Sequence, residues 1–126
     1  MNLTFSQEDL KFKEEVKDFI SKNLDRTIQK KINNGHHISK DDLVNWQKKL
    51  YEKGWMAPNW PKEYGGTGWS ITQRYIFDEE CGAAAAPSAL PFGVTMVAPV
   101  IIKFGTDKQK EEYLPRILSS DDWWCQ

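Results

Sequence analysis

Phe5-Ser6-Gln7-Glu8-Asp9-Leu10 holds the opening of a helix in six residues. The Ser6 hydroxyl and the Asp9 side chain, three positions apart, can each accept from the other's backbone N–H, while Phe5 and Leu10 stand at the two positions of a hydrophobic staple. Downstream, Phe12, Val16, Phe19, Ile20 and the trailing Leu24 recur at three- and four-residue steps, so one face is apolar and lysines and glutamates fill the other. Such a face needs a partner helix. The same opening recurs at Ser39 with Asp42 (stapled by Ile38 and Leu43), at Ser70 with Gln73, and at Thr106 with Gln109. Repeated starts of this kind predict an all-α fold, a helical bundle of about five to six helices.

Working outward, Leu43, Trp46 and Leu50 form the apolar face of the second helix, and Gly54 is placed to end it in the left-handed conformation. The polar run from Thr27 to His37, with Asn33, Asn34 and Gly35, reads as a helix end and loop. His36 and His37 lie in it without a third ligand nearby, which favours a solvated loop over a metal site. Residues 55–69 hold Trp55, Trp60 and Trp69 among two prolines and three glycines, the pattern of an ordered, aromatic-packed loop. The helix opened by Ser70 is expected to run to Ala86 and to stop at Pro87.

No Asp, Glu, Lys or Arg occurs from Cys81 to Ile102. Pro87, Pro91 and Pro99 divide that run, and no interfacial anchors flank it, so a buried central helix starting near Ser88 is expected in place of a membrane span. Gly105 ends it. The last helix carries Tyr113 and Leu114 and is expected to break or kink at Pro115, with Ile117 and Leu118 on a short continuation. Trp123, Trp124 and Cys125 read as the first residues of a strand. The chain therefore divides into a helical domain over 1–120 and the beginning of a β domain over 121–126.

The composition excludes several classes. Seventeen basic and 18 acidic residues in 126 leave a net charge of -1, with no field of one sign to draw a nucleic-acid backbone or an anionic bilayer. Cys81 and Cys125 are too few and too far apart for a disulfide framework or a zinc site. Glu8, Asp9, Glu14, Glu15 and Asp18 interrupt the N-terminal region where a secretory or transit signal would be apolar or acid-poor, so a cytoplasmic location is expected.

Four stretches in order resemble the acyl-CoA dehydrogenase family: the Phe5-Ser6 start, Trp60-Pro61-Lys62-Glu63-Tyr64-Gly65-Gly66-Thr67-Gly68, Phe104-Gly105-Thr106-Asp107-Lys108-Gln109-Lys110, and Tyr113-Leu114-Pro115-Arg116-Ile117-Leu118. The closing Asp122-Trp123-Trp124-Cys125-Gln126 is similar to the strand leading into that family's flavin-binding segment. The resemblance covers essentially the whole chain. It implies the N-terminal helical domain of a three-part enzyme, followed in the family by a β domain and a four-helix bundle. It further implies oxidation of an acyl-CoA thioester across its α and β carbons, with a carboxylate base and FAD as the hydride acceptor. In the family the base lies beyond the position of Gln126, so no catalytic residue is assigned here. Glu14, Glu15, Glu111 and Glu112 sit on charged helix faces, where solvated or paired carboxylates are normal.

By the same resemblance, Ser88, Phe92 and Met96, spaced by four on one face of the expected central helix, match positions lining the end of the acyl pocket. Plain core packing is the competing reading. Gln126 matches the first position of the flavin-contacting stretch. Gly65, Gly66 and Gly68 lack the residues that complete a phosphate-binding motif and read as a tight turn braced by Trp60, Tyr64 and Trp69. The expected partners are an acyl-CoA, the remaining domains and homologous subunits, with homo-oligomers in the complete enzyme. The alternative is a helical interaction module, without catalysis, that docks on full-length relatives.

Overall fold

The computed structural model of the chain describes residues 4–125, and within them the fold is all-α, with six α-helices and no strand. The contacts divide it into two compact units, one of residues 4–38 and 69–87, the other of residues 39–68 and 88–125.

In the first unit, α1 (Gln7–Asn23) opens with the expected capping box: Asp9 N–H donates to Ser6 Oγ at 3.1 Å, and Ser6 N–H donates to Asp9 Oδ2 at 3.2 Å. Its buried face is Phe12, Val16 and Ile20. It packs on α4 (Ile71–Ala83), whose buried residues are Ile76 and Phe77. Val16 and Ile76 are the largest fully buried side chains. Burial of each contributes about 1.5–3 kcal/mol, several times a surface ion pair. Trp69 closes one side of this core, its ring centroid 5.0 Å from Phe12 and 5.2 Å from Phe77.

Residues expected to be loop form a further helix, α2 (Arg26–Asn33), capped by Asp25 Oδ1 accepting from Thr27 N–H at 2.7 Å. Its anchor is Ile28, only 4% exposed. Gln29 Nε2 donates to the Ala84 carbonyl at 2.8 Å, tying α2 to the end of α4. That end comes at Ala83, earlier than Ala86. Ala85 takes a left-handed φ of 52°, and Ala86 N–H turns back to the Cys81 carbonyl at 2.9 Å, so local hydrogen bonding stops the helix before Pro87.

In the second unit, α3 (Lys40–Lys53) begins at the Ser39 and Asp42 capping box and ends at Gly54, whose φ of 78° is the expected left-handed cap. Trp55, Met56, Ala57 and Trp60 follow as buried residues, so the aromatic loop is ordered. A 3-10 turn (Lys62–Tyr64) leads to the glycines. The chain then re-enters this unit at Ser88, and from Phe92 to Val97 it forms a π-helical turn that continues directly into α5 (Ala98–Phe104). No helix among the described residues is long and apolar enough to cross a membrane.

Of the break or kink expected at Pro115, the break does not occur: the last helix, α6 (Asp107–Leu118), is continuous through it. An interior proline costs about 3 kcal/mol. Leu114 and Ile117 on either side of it are 2% and 3% exposed. Burying both contributes about 1.5–3 kcal/mol each, which offsets the lost bond. With Ala57, Trp60 and Ala98 they form the core of this unit, and Val94, Val97, Ile101 and Tyr113 pack around it. Residues 121–125 are not a strand here. Arg116 grips Asp122 with two bonds of 2.6 and 2.7 Å, and Trp124 meets Tyr113 edge-on at 5.9 Å.

Candidate functional site

The residues expected to line an acyl pocket lie on the approach to the π-helical turn and within it. Ser88 is exposed and precedes the helix, so the expected single helical face through Ser88, Phe92 and Met96 does not form. Phe92 is half-buried at the first position of the turn, and Met96, on the same turn, is 51% exposed. The physical reason is where the helix starts: helical structure begins only at Pro91, after Ser88, and the turn that follows is wound more widely than an α-helix. Ala98 N–H bonds to the Gly93 carbonyl five residues back, and Pro99 has no N–H with which to close a four-residue bond onto Thr95.

Three side chains anchor the turn. Gln47 Oε1 accepts from Leu90 N–H at 3.1 Å just before it, Thr95 Oγ1 donates to the Pro91 carbonyl at 2.9 Å, and Trp60 Nε1 donates to the Val94 carbonyl at 2.8 Å. Gln47 also donates through Nε2 to Ser120 Oγ at 3.0 Å. Gln47 and Ser120 are 4% and 7% exposed, and Ser120 holds a left-handed φ of 62°. Sequence reasoning missed this node. Its one signal was a glutamine between Trp46 and Leu50 on an inward face.

Beyond the turn, the outer side of α5 is apolar. Met96, Val100 and Phe104 recur at four-residue steps and are 51%, 55% and 74% exposed. Beside them a surface groove of about 350 Å³ is lined by Val97, Val100, Ile101, Phe104, Tyr113 and Trp124. Neither Phe92 nor Met96 borders that groove.

The glycine loop does not offer a phosphate cradle. Gly65 N–H donates to the Lys62 carbonyl at 3.1 Å and Gly66 N–H to the Pro61 carbonyl at 3.0 Å, so those donors are turned into the loop. A Cβ on Gly66 would stand 1.7 Å from the Trp60 carbonyl oxygen, which explains the glycine by close approach. Trp60 and Tyr64 belong to the same unit as this loop, and Trp69 packs on Phe12 and Phe77 in the other unit. Gly65 and Gly68 have φ of 95° and 65°, as a tight turn requires.

No group of three or more His, Cys, Asp or Glu among the described residues could hold a metal ion, and His36 and His37 are exposed. Glu14 pairs with Lys17 at 3.2 Å on the α1 surface. Burial, with Asp78 and Glu80 adding to it, pushes the Cys81 thiol up to about 12. Arg116 holds the Asp122 carboxyl below its ordinary range. Gln126 lies outside the described residues, and so does any contact it makes with a flavin.

Residues 6–121 match the family model described as acyl-CoA dehydrogenase, N-terminal domain. Over 69 residues, 54% of this chain and 17% of the relative, the sequence is 49% identical to the acyl-CoA dehydrogenase FadE26 of Mycobacterium tuberculosis (strain ATCC 25618 / H37Rv). Among solved structures, the ChsE4-ChsE5 complex from Mycobacterium tuberculosis superposes with a TM-score of 0.76 at 29% identity, over 96% of this chain and 30% of that one. The Tcur3481-Tcur3483 steroid ACAD gives 0.74 at 32% identity, over 96% and 31%. The chain thus spans less than a third of the length of each of these relatives.

Proposed function

Because the chain belongs to the acyl-CoA dehydrogenase family, over its N-terminal helical domain, we propose that it forms the helical part of an FAD-dependent enzyme that dehydrogenates an acyl-CoA. Its contribution is an apolar wall. The observation that carries this reading is the exposed stripe of Met96, Val100 and Phe104, which follows the half-buried Phe92 on a segment with no charge before Lys103. An apolar acyl group gains about 0.8 kcal/mol for each methylene buried on such a wall. FAD, when bound, supplies the two-electron acceptor. Gln126 is the residue of this chain proposed to meet it, and Ser88, Phe92 and Met96 are those proposed to meet the acyl group. The base that removes the α proton is not assigned to any carboxylate here.

The likeness to the Tcur3481-Tcur3483 steroid ACAD and to the ChsE4-ChsE5 complex supports two finer proposals. A fused-ring acyl group is the first substrate class to test, and a homologous subunit is the first partner.

The test is Phe92→Ala in the complete enzyme, assayed with a series of acyl-CoAs of rising length and bulk. The expected outcome is a shift of kcat/KM toward longer or bulkier substrates, by about tenfold to a hundredfold for one or two added methylenes. An equal loss across the whole series would make Phe92 ordinary core and remove the acyl assignment from this turn.

A further inference from the structure

Beside the π-helical turn lies a half-open void of about 20 Å³, lined by Gln47, Gly93, Ser120, Asp122 and Trp124 among others. That is room for one water molecule. Around it the hydrogen-bonding capacity is unevenly used. Trp124 Nε1 is buried and has no protein acceptor within reach. An indole nitrogen only donates, so whatever completes it must accept. Nearby acceptors are engaged: Gln47 Oε1 takes Leu90 N–H, the Val94 carbonyl takes Trp60 Nε1, and both oxygens of Asp122 take Arg116. Ser120 Oγ accepts from Gln47 Nε2, which leaves its own proton free to donate.

The geometry of Gly93 fits the same account. A Cβ there would meet Ile117 Cγ2 at 3.1 Å and the Trp124 Cδ1 atom at 3.5 Å. Cδ1 is bonded to Nε1, so the donor edge of the indole faces this part of the turn. A side chain larger than hydrogen would crowd the void that the indole borders.

We propose that this void is a built site for a single ordered water, which accepts from the Trp124 indole N–H and bonds the Ser120 hydroxyl. The water links Trp124, in the run 122–124 that leads to Gln126, to Ser120 just after α6, and Ser120 is itself held by Gln47 of α3, 73 positions away. This water completes a buried donor that would otherwise be unmet, the costliest state for such a group.

The experiment is nuclear magnetic resonance of protein carrying nitrogen-15 at its 6 tryptophans. Trp124 is assigned by Trp124→Phe, or by through-bond correlation in the wild type if that variant does not fold. Trp60, whose indole donates directly to a carbonyl, is the internal control. The expected result is a cross-peak from the Trp124 indole proton to long-lived water, absent for Trp60, and an exchange rate of that proton raised about fivefold to tenfold in Ser120→Ala. Absence of the water cross-peak at Trp124 overturns the proposal. If Asp122→Asn alone then removes the protection, the indole bonds the carboxylate directly.

Discussion

Gly66 shows how one hydrogen atom in place of a methyl decides a loop. With the Trp60 carbonyl oxygen 1.7 Å from where a Cβ would be, Gly66→Ala cannot be accommodated without moving the backbone of a buried tryptophan. Overpacking of this kind costs about 1–3 kcal/mol or more. We expect the urea midpoint of Gly66→Ala to fall well below that of Gly35→Ala, where nothing lies within 4 Å and only the positive φ is strained. Equal midpoints would mean the loop yields freely. Cys81 offers a second test. In the unfolded chain its thiol ionises near the ordinary 9.0, in the folded chain near 12. Between those values the unfolded state has released a proton that the native state keeps, so this residue's contribution is complete below 9.0 and is lost as pH rises. The stability of Cys81→Ala relative to wild type should therefore improve with pH above 9.0, and a thiol reagent should modify exposed Cys125 well before Cys81. A constant difference, or equal labelling rates, would contradict the raised thiol. The glycines were readable one by one, because a tight turn is written in adjacent residues. Gln47 could be seen as a polar residue on an inward face, but its partners Leu90 and Ser120 lie 43 and 73 positions away.

At the scale of elements, all four capping boxes are present with both reciprocal bonds. They were legible because each is closed within three residues. Ser39→Ala should cost about 1 kcal/mol, measured as a loss of unfolding free energy without change in the denaturant slope. An unchanged midpoint would mean that solvent satisfies those donors as well as the serine does. What escaped has equally local causes. Helix α2 holds only Ile28 and Ile32 as an apolar pair, too few for a periodic signal, and its cap reaches two residues on instead of three. Pro115 reads as a breaker until the burial of Leu114 and Ile117 is known. The π-helical turn is invisible to a test for four-residue spacing, since Phe92 and Met96 satisfy that spacing while the bonds around them step by five.

For the whole molecule, the exposed stripe of Met96, Val100 and Phe104 carries a prediction that charge cannot counter. The sequence pI of 6.1 and formal charge of -1 leave little mutual repulsion near neutrality. The 126-residue chain should bind a hydrophobic dye and associate with rising concentration, most strongly near its pI and undiminished by salt. Val100→Glu with Phe104→Lys should return it to monomer. A monodisperse wild type with no dye binding would mean that the stripe is covered. The two units also have an order in time. Each is assembled from separated stretches, 4–38 with 69–87 and 39–68 with 88–125. During synthesis, Val16 is made 60 positions before Ile76, its fellow in the innermost part of that core. At roughly 5–20 residues per second, α1 waits about 3–12 s for α4 to exist. For that interval Phe12, Val16 and Ile20 form a nascent amphipathic face with no mate, which is the form of substrate that ribosome-associated chaperones are built to shield.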